Sequence, residues 1–130
     1  MMTAQDFVNE GFRVSLQMPQ GEIDRAVADV TAAYVAKVTT NTTTNTAKAA
    51  IMQLAFILLC QRNTFATRAG GKVKLSPSLS DNAQARQTDY DNAHRLLLQC
   101  QAATGGIAGD IDKMVDDICM IYMRAYLSMN

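Results

Sequence analysis

The single histidine of the chain, His94, follows Tyr90 by one helical turn and Asp91 by three residues. Either neighbour could orient the imidazole ring for proton transfer. A catalytic histidine also needs a nucleophile or a substrate group within hydrogen-bond reach, and no serine or cysteine motif accompanies this one. The sequence therefore favours a helix-surface or partly buried histidine over a catalytic one.

Six aspartates form clusters that could bind a divalent cation: Asp89, Asp91, Asp110, Asp112, Asp116 and Asp117. Two residues that are two positions apart on a helix point to different faces. Neither the glycine nor the terminal glutamate of an EF-hand loop follows the clusters. We interpret these aspartates as solvated helix charge, and the sequence predicts no metal and no cofactor.

The segment Gly70-Gly71-Lys72 has only a superficial likeness to a phosphate-binding loop. Such a loop needs an earlier glycine, a serine or threonine after the lysine, and a helix that starts there. Val73 and Lys74 follow Lys72 instead. With no catalytic residue identified, we predict that the protein is not an enzyme.

The three cysteines lie in separate apolar stretches, at Cys60, Cys100 and Cys119. An odd count at wide spacing indicates neither a disulfide framework nor a paired metal-ligand set, so buried reduced thiols are expected. The opening residues MMTAQDFVNEG show no basic segment followed by an apolar run, as a secretory signal would. We therefore expect a reducing, intracellular site of synthesis.

Basic residues are concentrated in the middle of a chain whose formal net charge is zero. Residues 30–80 contain six basic residues and no acidic one, whereas residues 1–29 carry five acidic and two basic residues, and residues 81–130 seven acidic and four basic. With such segregation, the basic middle can pair with the acidic flanks of the same subunit, pair with an acidic flank of a neighbouring subunit, or bind phosphates. Four of the basic residues fall within thirteen positions: Arg62, Arg68, Lys72 and Lys74.

This basic cluster favours a protein contact over a nucleic-acid contact. Only Phe65 is available to stack on bases, and no helix-turn-helix spacing is present. Contact with an acidic protein partner or a neighbouring subunit is the preferred interpretation, and non-specific contact with DNA phosphates is the alternative.

The element that must position these residues is the stretch from Ala49 to Cys60, AAIMQLAFILLC, in which Gln53 is the one polar residue. A helix without a polar face must be covered on nearly all sides. A membrane span would need about 20 apolar residues, and charged residues bound this shorter run, so no membrane association is predicted. We expect a central core helix from Ala47 to Asn63 or Phe65.

Caps and apolar periodicity predict further helices around the central one. The spacing Thr3-Ala-Gln-Asp6 is that of a capping box, and an apolar stripe steps by three or four residues from Ile23 to Val38. Residues 39–46 form a polar connector in which Thr44 to Thr46 can cap the central helix. The predicted ranges are Thr3 to about Gly11, Gln20 to Lys37 or Thr39, Ser80 or Asp81 to about Ala103 before Gly105-Gly106, and Ile107 to Met129.

Residues 65–81 are the least regular part, because they contain adjacent glycines and the second proline. They predict either a mobile loop or a small hairpin, with Thr67 to Ala69 and Lys72 to Leu75 as its strands. The predicted fold is a single all-α domain over residues 1–130, a bundle of four to five helices with one long basic loop or small hairpin.

The order of elements over roughly residues 3 to 65 carries a family resemblance. A short first helix is followed by a helix with an acidic start, Gly21-Glu22-Ile23-Asp24 to Val38, and by a polar turn. The next helix runs from Ala47-Lys48-Ala-Ala-Ile51 to Leu59 and ends near Gln61-Arg62-Asn63. This order resembles that of the small helical head-tail connector (adaptor) proteins of long-tailed phages and prophages; the long loop from Phe65 to Asp81 and the two C-terminal helices depart from it.

The resemblance implies a structural protein that forms a ring between portal and tail, with a lumen that passes DNA. It implies a homo-oligomer with portal and tail proteins as partners, located in the cytoplasm of the host bacterium and then in the virion. A ring contact joins two different patches of one subunit type. The loop from Arg62 to Lys74 is the interface hypothesis. The alternative is a small intracellular helical adaptor or regulator that binds an acidic protein partner through the same loop.

Overall fold

A computed structural model describes residues 2–70, 83–104, 111 and 113–118, and the side chains of residues 2–60, 87–102, 111 and 113–118. Its helices are α1 (Ala4–Asn9), α2 (Gln20–Lys37), α3 (Asn45–Gly70) and α4 (Ala83–Thr104), followed by a helical segment, α5, at 113–118. No strand occurs in these ranges. The prediction of an all-α helical bundle is confirmed.

Helix α1 begins at the predicted capping box. The backbone N–H of Thr3 donates to Asp6 Oδ2 at 2.9 Å, and the backbone N–H of Asp6 donates to Thr3 Oγ1 at 3.2 Å. The exchange satisfies two donors that have no partner within the helix. The chain turns after α1 at Gly11, whose φ of +90° lies in the left-handed region that favours glycine.

Helix α2 spans the predicted range. Three of its four buried residues, Ile23, Val30 and Tyr34, belong to the predicted apolar stripe. The fourth is Ala26, and Val27 of the stripe is only partly buried. Pro19 supplies no side-chain cap. Instead, Gln20 Nε2 donates to the Met2 carbonyl at 2.7 Å and to Asp24 Oδ1 at 2.8 Å, which ties the start of α2 to the N-terminal segment.

Helix α3 lies at the centre of the bundle and packs against both α2 and α4. Every residue from Ile51 to Ile57 is buried, so that all faces of this part of the helix are covered. The N-terminal segment covers part of it: the Phe12 ring lies 4.9 Å from the Phe56 ring and 5.9 Å from the Phe7 ring, centroid to centroid. The prediction of a central core helix is confirmed.

Helix α3 extends beyond both predicted ends. At its start, Thr44 Oγ1 accepts the backbone N–H of Ala47 at 3.1 Å, as the polar connector predicted, and the helix begins at Asn45. At the other end it continues to Gly70 instead of stopping at Asn63 or Phe65. The loop or hairpin predicted from Phe65 is therefore wrong for residues 65–70, which contain no helix-breaking residue before the glycine. Residues 71–82, including the predicted second strand, lie outside the described residues.

Helix α4 contributes one face to the described core. Ala93, Leu97 and Cys100 are buried on that face. Its end at Thr104 agrees with the predicted end near Ala103. Ile111, Met114 and Val115 are buried in the same cluster, as the periodicity of the predicted last helix requires. The predicted cap of α4, the glycines after it, and the last helix beyond Ile118 lie outside the described residues.

Candidate functional site

The four basic residues of the interface hypothesis do not share one loop. Arg62 and Arg68 belong to α3, which corrects the prediction that the cluster as a whole is a loop. Six positions apart, their Cα atoms are separated by about 120° around the helix axis, so they do not occupy one helix face. The structure describes their backbone but not their side chains, and Lys72 and Lys74 lie outside the described residues.

Helix α3 carries no acidic residue along its 26 residues. It is the longest described helix, and at a rise of about 1.5 Å per residue it is about 39 Å long. Helix α2, which packs against it, has 18 residues and is shorter. Helix α2 is acidic by comparison and exposes Asp24 and Asp29. The folded chain therefore keeps the charge segregation of the sequence on separate helices.

The region around His94 is an open groove on the surface of α4, with a volume of about 540 Å³. Tyr90 donates its hydroxyl to Asp116 Oδ1 at 2.6 Å and so links α4 to α5, while Gln87 Nε2 donates to Asp91 Oδ1 at 2.9 Å. Among the described residues, no serine or cysteine lines this groove, and His94 is partly buried. The geometry agrees with a histidine of the helix surface.

The aspartate clusters are dispersed where the structure describes them. Within the described ranges, no three residues among histidine, cysteine, aspartate and glutamate are arranged to hold a metal ion. Asp91 and Asp116 accept the hydrogen bonds from α4 given above. Asp110 and Asp112 lie outside the described residues.

The Tyr34 hydroxyl is a polar group of the core that the sequence did not single out. Tyr34 is 1% exposed, and its hydroxyl donates to the Asn41 carbonyl at 3.5 Å. Burial, followed by the hydrogen bond and charge of the neighbouring Cys100 thiol, raises the pKa of Tyr34 above its ordinary value. Cys100 and Cys60 are both buried and belong to no disulfide among the described residues, in agreement with the predicted buried thiols, and Cys119 lies outside those residues.

Tyr34 should make the protein lose stability in alkaline solution. Because the pKa of the folded state is raised, the unfolded state loses its phenolic proton first, near pH 10.0. The contribution of Tyr34 to stability is then fully present below that pH and declines as the pH rises toward the folded-state pKa. Tyr34→Phe should cost about 1 kcal/mol at neutral pH and show a shallower alkaline decline, measured by urea unfolding at a series of pH values. Tyr90→Phe, whose hydroxyl is at the surface, is the control; equal slopes for wild type and Tyr34→Phe would contradict the burial of this hydroxyl.

Gln53 is the buried polar residue among the side chains of α3 that the structure describes. It is 5% exposed, and its Nε2 atom has no hydrogen-bond partner among the described residues. It lines a cleft of about 830 Å³ between the N-terminal segment, α2, α3 and α4. The sequence distinguishes Gln53, since it is the only polar residue between Ala49 and Cys60. The sequence does not show that a cleft lies beside this residue.

No protein-family profile, no curated protein and no solved structure matches this chain. Among the helices that the structure describes, none combines the length and the apolar character needed to cross a bilayer.

Proposed function

We propose that the protein is a structural component of a phage or prophage particle, a head-tail connector that forms a ring between portal and tail. The observation that carries the proposal is the separation of charge between packed helices: α3 has no acidic residue along its length, while α2 exposes aspartates. The order of helices over residues 3 to 65, which resembles that family, supports the same assignment. In this role the protein is not an enzyme and contributes a surface, not a catalytic group.

A ring needs two different and complementary patches on each subunit. The basic end of α3 supplies one candidate surface, on which Arg62 and Arg68 lie on different faces of the helix. Lys72 and Lys74 follow it in the sequence. The exposed acidic side chains of α2 supply the other. Attraction between exposed charges weakens with added salt, because the screening length falls from about 30 Å at 0.01 M to about 3 Å at 1 M. The contact should therefore be sensitive to salt.

Light scattering across a range of protein concentrations tests the proposal. At low salt we expect a particle of many 14.2 kDa subunits, and at high salt a smaller mean mass. A ring would then be visible by electron microscopy. A monomer or dimer at every concentration and salt level would contradict self-assembly of the isolated protein and favour the second candidate.

The second candidate is a small intracellular helical adaptor or regulator. The same acid-free segment fits an acidic protein partner, which would bind it in place of a neighbouring subunit. Genes for portal, capsid or tail proteins beside the gene for this chain would favour the connector. In the connector, the protein would act in the cytoplasm of the host bacterium and in the virion, and its basic residues could make non-specific contacts with the DNA that passes through the ring.

A further inference from the structure

The cleft beside Gln53 has the composition of a small-molecule site. Its volume of about 830 Å³ falls within the range of about 300–1,000 Å³ typical of ligand pockets. Apolar side chains from four parts of the fold line it, namely Phe12, Val27, Met52 and Leu96 together with Met2 and Ile51. Eight polar or charged residues also line it, among them Gln53. A ligand would therefore meet apolar side chains together with hydrogen-bonding groups, which is the combination that pockets for organic molecules use.

Gln53 gives this cleft a directional group. Its side chain is more than nine-tenths buried, and Nε2 donates to no atom in the part of the chain that the structure describes. A buried amide without a partner is a cost to folding that nearly all native proteins avoid. A ligand with a hydrogen-bond acceptor would satisfy this donor and remove the cost.

The charges around the cleft decide which acceptor fits. Asp6 and Glu10 line the cleft, and Lys48 is the one basic residue among the lining residues. Two carboxylates against one ammonium group disfavour an anionic ligand. Asp6 also accepts the backbone N–H of Thr3 at 2.9 Å and is held at the rim of the cleft by that bond. A neutral carbonyl oxygen is therefore a better acceptor for Gln53 than a carboxylate.

We propose that the cleft between the N-terminal segment, α2, α3 and α4 binds a small uncharged molecule with an apolar body and a carbonyl group. Gln53 Nε2 is itself buried, so a rotation of this side chain brings the donor to the cleft, where it donates to the carbonyl oxygen of the ligand. The apolar body packs against Phe12 and Met52. Methionine side chains adapt to ligands of different shape, and an aromatic body would stack on the Phe12 ring. The site is independent of the ring-forming role.

The probe for this site is N-acetylphenylalaninamide, which has an aromatic body, neutral carbonyl groups and no charge. We expect its titration into the full-length, isotope-labelled protein to shift the side-chain NH₂ resonances of Gln53 in a saturable manner. N-acetylphenylalanine, which differs by a carboxylate, should bind more weakly. Absence of a saturable shift with the amide, or tighter binding of the carboxylate, would overturn the proposal.

Two variants test the role of Gln53. Gln53→Met keeps the length of the side chain and removes the donor, so it should bind the probe at least about tenfold more weakly, as the loss of one hydrogen bond of about 1.4 kcal/mol predicts. Without ligand it should melt at a higher temperature. Gln99→Met makes the same change at an exposed residue of α4 that does not line the cleft, and it should keep the affinity within about threefold. Equal binding by wild type and Gln53→Met would overturn the proposal. The wild-type titration decides the question if Gln53→Met does not fold.

Discussion

Leu54→Ala is expected to lower the free energy of unfolding by about 2–5 kcal/mol. Leu54 is fully buried in α3, which packs between α2 and α4. The substitution removes apolar contacts and leaves a cavity that two packed helices cannot fully close. Such a loss is a large fraction of the total stability of a domain of this size, about 5–15 kcal/mol. Urea unfolding followed by far-UV circular dichroism measures it.

Leu98→Ala is the matched control for Leu54→Ala, because it makes the same chemical change on α4 at a residue that is 45% exposed. A surface substitution of this kind should change the free energy of unfolding by no more than about 0.5 kcal/mol. Similar losses for the two variants would contradict the position of α3 at the centre of the bundle.

Charge reversal at Arg68, Lys72 and Lys74 is expected to abolish assembly while the helicity of the subunit is retained. The hypothesis places these residues at the contact with an acidic patch of the neighbouring subunit. Each exposed ion pair contributes only about 0.2–1 kcal/mol, but reversal replaces three attractions by three repulsions. Together these changes should weaken each contact by about 100-fold or more. Light scattering measures the mass of the particle, and circular dichroism measures the helicity.

A second triple variant tests whether position or net charge is responsible. Arg13→Glu, Arg95→Glu and Lys113→Glu change the net charge by the same amount but lie outside both the acid-free segment of residues 30–80 and helix α2. This control should still assemble. Loss of assembly in both variants would indicate a general effect of net charge, and unchanged assembly in the first would contradict the interface hypothesis.

The sequence predicted those parts of the fold that depend on residues close to one another along the chain. The capping box of Thr3 and Asp6 starts α1, and the stripe from Ile23 to Tyr34 gives α2 its buried face. The apolar run before Cys60 predicted a covered helix, because Gln53 is its one polar residue. Caps and periodicity are short-range signals, so they are readable without knowledge of the partners.

Other features depend on how the helices pack. The continuation of α3 to Gly70 was missed because residues 65–70 have no strong local preference, and adjacent glycines favoured a turn. The sequence identified Gln53 as the only polar residue of its run and Tyr34 as part of an apolar stripe. Only the packing of helices that are distant in sequence creates the cleft beside Gln53 and brings the Cys100 thiol to the Tyr34 hydroxyl. The sequence by itself thus determined the helices and their buried faces, whereas the tertiary structure decided which polar groups meet, because those contacts join residues that no local pattern connects.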